Sequence, residues 1–137
     1  ERLIQQVLDK HPNDVKYVIK HFPLSNHRYA FKAAMAALAA NNQGKFWEFH
    51  HELFKNYKAL NDAKIKSIAE DLGLDMAQFN TDLNSPQNRA VILQDLNNGK
   101  KIKVRGTPTV FMNGKKVEIR QLANLSKIID QELKKFK

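Results

Sequence analysis

Apolar residues recur along this chain with two different periods, and the switches between them mark out its elements. Leu3, Ile4, Val7 and Leu8 share one face at helical spacing, and His11-Pro12 stops the run. After a turn at Asn13-Asp14, residues 15–20 (VKYVIK) alternate, with Val15, Tyr17 and Ile19 on one side. They are β-branched or aromatic and predict a strand, closed by Phe22-Pro23-Leu24.

From Asn26 to about Gly99 every signal is helical. Residues 28–40 are alanine-rich, with Phe31, Met35 and Leu38 as a stripe, which predicts a helix buried on more than one side. Phe46, Phe49, Leu53 and Tyr57 form a second stripe after Gly44, and Trp47 reads with Phe46 and Phe49 as helix-packing core. A third helix runs from its cap Asn61 through Ile65, Ile68, Ala69 and Leu72 to Gly73. A fourth opens with the capping-box spacing of Asp75 and Gln78 and buries Met76, Phe79 and Leu83. A fifth starts at Ser85-Pro86 and is expected to stop at Gly99.

The period then changes. Residues 109–112 and 115–119 predict two strands joined at Asn113-Gly114, because both central positions of a type I′ turn need positive φ. Leu122, Leu125, Ile129, Leu133 and Phe136 define a terminal amphipathic helix, with Lys134 and Lys135 at the negative end of its dipole. The order is helix, strand, helical block, hairpin, helix: an α/β chain whose helical block interrupts a small sheet.

At 137 residues there is room for one domain with a real core. No apolar run approaches the roughly 18 residues of a membrane helix. The cysteine count is zero, which excludes disulfides, thiolate metal sites and thiol chemistry within these residues. The net charge of +9 favours acidic or anionic partners, although lysines spread over solvated faces account for much of it. One stretch is less even: Lys100, Lys101, Lys103, Arg105, Lys115 and Lys116 come with no acidic residue among them. The chain opens on Glu1, not methionine, so a preceding segment is expected.

This order, carried by DVKYVIKHFPL (residues 14–24), AAMAALAANNQGKFWEFHHELF (33–54) and VRGTPTVFMNG (104–114), resembles the DsbA-like branch of the thioredoxin-fold thiol-disulfide oxidoreductases. The resemblance implies a thioredoxin-like fold with residues 1–25 and 100–137 as the core and 26–99 as an inserted helical block. It also implies a first core strand and a C-x-x-C helix start, neither of which lies in these residues; residues 1–10 match the later turns of that helix. That strand is central in the family, so its loss would cost ladder bonds and buried side chains on the scale of a domain's whole stability, about 5–15 kcal/mol. The expectation is therefore that the parent protein supplies it, or, less simply, that another chain does by strand exchange.

By resemblance, Thr107-Pro108 is a candidate cis peptide in a loop that offers its backbone edge to substrate peptide. Gly106 would permit close approach, and Arg105 completes the expected substrate-binding set; an ordinary turn before a strand is the alternative. The family's thiol exchange needs two cysteines, so no catalytic residue is assigned here. His21 and His27 flank the Phe22-Pro23 loop, but exposed polar positions account for them better than a zinc or copper site, and no metal or cofactor is expected.

The implied partners are thiol- or disulfide-containing substrate proteins and a membrane-bound redox protein, in an extracytoplasmic compartment. Nucleic acid is not expected, because no aromatic platform accompanies the charge. Two rivals stand beside disulfide formation or isomerisation: a redox-inactive peptide-binding module and a basic adaptor for an anionic surface.

Overall fold

Helices dominate the computed structural model, which describes residues 2–136, the side chain of Ile119 excepted. The elements are α1 (Arg2–Lys10), α2 (Ala30–Asn41), α3 (Phe46–Lys55), α4 (Asp62–Asp71), α5 (Met76–Asp82), α6 (Pro86–Lys101), β1 (Val110–Met112), β2 (Lys115–Val117) and α7 (Leu125–Leu133). Short 3-10 turns follow α3 and flank α7. The chain forms two compact units, one of Glu1–Ile19 with Gly106–Lys137 and one of Lys20–Arg105.

The helical unit is built around α2, which packs against α3, α4, α5 and α6. Ala36, Ala39 and Ala40 have no exposure at all, and Ala33, Met35 and Ala37 are buried beside them. The face that packs is thus mainly alanine; of the expected stripe Phe31, Met35 and Leu38, Met35 is buried and the other two are half-buried. Small side chains let neighbouring backbones come close, which four partners around one helix require. Phe49, Leu53, Ile65, Ile68, Ala69, Leu74 and Phe79 complete this core.

Caps set the helix starts. Asn61 Oδ1 accepts from Lys64 N–H at 2.7 Å, Asp75 Oδ1 from Gln78 N–H at 3.0 Å, and Ser85 Oγ from Asn88 N–H at 3.2 Å. At α5 the reciprocal half of the expected capping box is replaced: Asp75 N–H donates to Gln43 Oε1 at 2.8 Å, and Gln43 Nε2 donates back to Asp75 O at 3.1 Å.

Three helix ends share one hydrogen-bond pattern. After α2, Lys45 N–H reaches Ala40 O and Gly44 N–H reaches Asn41 O; after α4, Leu74 and Gly73 do the same with Ala69 and Glu70. After α6, Val104 N–H reaches Gly99 O at 2.9 Å and Lys103 N–H reaches Lys100 O at 3.1 Å. This closure needs a left-handed residue, normally glycine. Gly44 and Gly73 supply it at φ 73°, but the third end uses Lys103 at φ 64°. Helix α6 therefore runs two residues past Gly99, correcting the expected stop. Gly99 serves close packing instead: a Cβ there would sit 2.8 Å from Phe22 Cε2.

In the other unit, Val7 of α1, Val117 of β2 and Leu125 and Ile129 of α7 are buried together, with Leu3, Ile4, Val15, Val110 and Met112 packed against them. Lys10 Nζ donates to Asp130 Oδ2 at 3.0 Å and to Ser126 Oγ at 3.1 Å, linking the end of α1 to α7. Buried His11 lies alongside, Nε2 3.1 Å from Asp130 Oδ1 but outside hydrogen-bond geometry. The Lys10 bond, opposed by desolvation and helped by the charge of Lys10, holds the Asp130 carboxyl below its ordinary pKa.

Strands β1 and β2 form an antiparallel hairpin in register Val110 with Val117 and Met112 with Lys115. Asn113 and Gly114 take φ of 48° and 82°, the turn their sequence predicts. The strand expected over residues 15–20 is a correction. Its side chains do alternate, Val15, Tyr17 and Ile19 half-buried and Lys16, Val18 and Lys20 exposed, but the backbone joins no ladder among the described residues. Alternation records which face is covered; a strand also needs a neighbour at hydrogen-bonding distance.

Candidate functional site

The loop before β1 carries the residues singled out by sequence. Gly106, Thr107 and Pro108 run consecutively in the hairpin-containing unit, Thr107 and Pro108 exposed and Gly106 half-buried. The Thr107–Pro108 peptide bond is cis. Thr109 Oγ1 donates to Gly106 O at 2.6 Å, closing the loop on itself and joining its two ends by a side-chain bond. Proline at 108 removes one backbone donor from the loop, and the Gly106 carbonyl is already engaged by Thr109. Among the described residues β1 pairs with β2 alone. Arg105 is exposed and is the last residue of the helical unit. The expected set is thus one contiguous loop of three residues, with Arg105 assigned to the other unit.

A second cluster lies within the helical unit. Asp95, on the buried stripe of α6 one turn after Ile92, is only 9% exposed, and its Oδ2 accepts the backbone N–H of His21 at 2.9 Å. Lys20 Nζ stands 3.9 Å from the other oxygen. Burial pushes the His21 imidazole below its ordinary pKa of 6.5; the Asp95 charge opposes this and Lys20 adds to it. The ring of His21 meets Phe46 edge-on at 6.3 Å, and Phe46 stacks on His50 at 5.6 Å.

Trp47, expected in the core, is 51% exposed and packs edge-on to Phe46 at 5.1 Å. On α3 the buried positions are 49 and 53, so 47 lies off that stripe, while Tyr57 falls beyond the helix end and is exposed. Sequence reasoning missed Asp95; the available signal was an acidic residue three positions after Ile92, on a stripe otherwise turned inward. No group of three His, Cys, Asp or Glu side chains among the described residues is placed to hold a metal ion.

A family model described as thioredoxin matches residues 1–131. The chain belongs to the thioredoxin family. Within that family it is DsbA-like, with a thioredoxin-like fold of mostly helices and a small two-stranded sheet. It superposes with a TM-score of 0.80 on a thioredoxin-like oxidoreductase from Silicibacter pomeroyi, at 29% identity, covering 97% of this chain and 76% of that one. The fold is also that of the thiol-disulfide exchange protein alpha-DsbA2 from Wolbachia pipientis, with a TM-score of 0.82 at 24% identity, covering 95% of this chain and 71% of that one.

In sequence this thioredoxin-family chain is 37% identical over 117 residues to a protein named Na(+)/H(+) antiporter NhaA 1 from Salinispora arenicola, covering 85% of this chain and 18% of that protein. It is 41% identical over 103 residues to Na(+)/H(+) antiporter NhaA 3 from Salinispora tropica, covering 74% of this chain and 16% of that protein. The chain therefore spans less than a fifth of the antiporters it matches. None of its described helices is long and apolar enough to cross a membrane.

Proposed function

We propose that this chain is the substrate-docking part of an extracytoplasmic protein thiol-disulfide oxidoreductase, acting in disulfide formation or isomerisation, whose dithiol lies outside these 137 residues. The observation that carries the reading is the likeness to a thioredoxin-like oxidoreductase over 97% of the chain at 29% identity. In this reading residues 1–25 and 100–137 are the thioredoxin core and 26–99 its helical insertion. Exposed Thr107 and Pro108, after half-buried Gly106, offer a backbone edge to an extended substrate segment, and Arg105 favours acidic residues beside the substrate cysteine. The thiols would exchange through a mixed disulfide, substrate thiolate attacking the enzyme disulfide; no residue of this chain takes either sulfur role.

The antiporter relatives support a membrane-proximal setting, since a segment like this one is carried within proteins named for ion exchange. Antiport itself is not proposed, because the shared segment is under a fifth of their length. A second reading, a redox-inactive peptide-binding module, is favoured by the absence of cysteine.

The deciding test is the intact mass and thiol count of the protein isolated from its native source, denatured and reduced. A mass above that of these residues with two thiols, together with activity in insulin reduction, upholds the oxidoreductase. A mass equal to theirs, with no thiol, passes the assignment to the binding module.

A further inference from the structure

The C-terminal end of α6 carries four cations in six residues: Lys100, Lys101, Lys103 and Arg105. All four are exposed, and none forms an ion pair among the described residues. The nearest acidic residue before them in sequence, Asp95, is turned inward onto the His21 N–H, and the next after them is Glu118. Ile102, in the middle of the run, is 59% exposed. An apolar side chain ringed by uncommitted cations suits the boundary between headgroups and acyl chains, where the charges meet anionic headgroups and the alkyl group enters below them.

The backbone adds a second, independent observation. Of the three helix ends closed in the same way, two place glycine at the left-handed position, and this one places Lys103 at φ 64°. A side chain there is conformationally unfavourable. The cation is held where glycine would fold more easily, and the two capping bonds fix the turn that displays it.

We propose that the α6 terminus is a docking surface for an anionic phospholipid membrane, with Lys100, Lys101 and Lys103 as the electrostatic contact and Ile102 as the inserted anchor. An acidic peptide is the less suited occupant, because the centre of the run is an exposed apolar side chain.

The test is co-sedimentation of the native protein with phosphatidylcholine vesicles containing 0 or about 30% phosphatidylglycerol, at low and at near-physiological salt. Binding should require phosphatidylglycerol and weaken with salt. Each cation contributes roughly fivefold, so Lys100→Gln/Lys101→Gln/Lys103→Gln should weaken partitioning on the order of a hundredfold. The charge-matched Lys16→Gln/Lys58→Gln/Lys66→Gln, at exposed positions elsewhere, should lose far less. Ile102→Ser should lose severalfold at both salt concentrations. Lys103→Gly should raise the melting temperature while weakening vesicle binding, a pair of opposite signs that a misfolded variant cannot produce. Equal losses in the two triple variants, or no dependence on phosphatidylglycerol, overturns the proposal. So does patch-dependent binding to polyglutamate without binding to vesicles.

Discussion

The Asp95 carboxylate accepts the backbone N–H of His21 at 2.9 Å across 74 residues of sequence, inside the helical unit. A nearly buried carboxylate is costly unless bonded, and a peptide N–H facing it loses its partner if the acid is removed. Asp95→Ala should therefore destabilise the protein by about 2–4 kcal/mol, read as a lower urea midpoint with little change in slope. Asp95→Asn keeps an acceptor oxygen and should cost less than half of that. Equal losses in the two variants would place the cost in packing.

Stability should also depend on the ionisation of His21. Its folded pKa lies below 6.5, chiefly through burial, so as pH falls the unfolded chain takes up the proton first. The contribution is whole above about pH 6.5, declines below it, and levels off once the folded pKa is passed. Melting temperatures between pH 7.5 and 5.5 should fall with acidification, and His21→Leu should flatten that slope. A proton-titrated His21 resonance with a pKa above 6.5 would contradict the assignment. Asp95→Asn should move that pKa lower still, because Asp95 is what raises it.

Gly99 should resist enlargement. Its missing Cβ would stand 2.8 and 2.9 Å from two atoms of the Phe22 ring, closer than packed carbons approach. Gly99→Ala gains helix propensity but overpacks this contact, for a net loss of about 1–3 kcal/mol. Shortening the opposing ring should recover part of the loss, so Gly99→Ala/Phe22→Leu should be more stable than the sum of the two single changes predicts.

The Thr109 hydroxyl should matter to the exposed loop more than to the fold. Thr109→Val preserves shape and removes the 2.6 Å bond to Gly106 O, at a cost of about 0.5–1.5 kcal/mol. On the proposed function, KM for a peptide substrate of the native protein should rise severalfold with kcat nearly unchanged. An unaltered KM would detach this loop from substrate binding.

Much of the fold was legible because short-range chemistry specifies it. Asn61, Asp75 and Ser85 mark helix starts by the bonds their own side chains make, and Asn113-Gly114 marks the hairpin by the φ values it tolerates. What escaped the sequence depends on partners far along the chain. Residues 15–20 alternate like a strand, yet alternation carries no information on whether a neighbouring strand is there to bond. Gly99 looked like a helix stop and is instead a point of close approach, which only the position of Phe22 reveals. Trp47 was expected inside because its neighbours are aromatic, but one residue of helical phase separates it from the buried stripe. The loop residues Gly106, Thr107 and Pro108 were legible as a motif, whereas the Asp95–His21 bond required two segments to be folded against each other.

The alanine face of α2 has a consequence for how the helical unit opens. Four helices lean on α2, whose buried side chains are alanine apart from Met35, so none of them can leave without exposing the small-residue surface the others also cover. Local fraying then gains little, and the unit should open as a single cooperative block. The amide protons of Ala36, Ala39 and Ala40 should exchange with solvent at one common, slow rate set by that opening, while those of the hairpin follow a rate of their own.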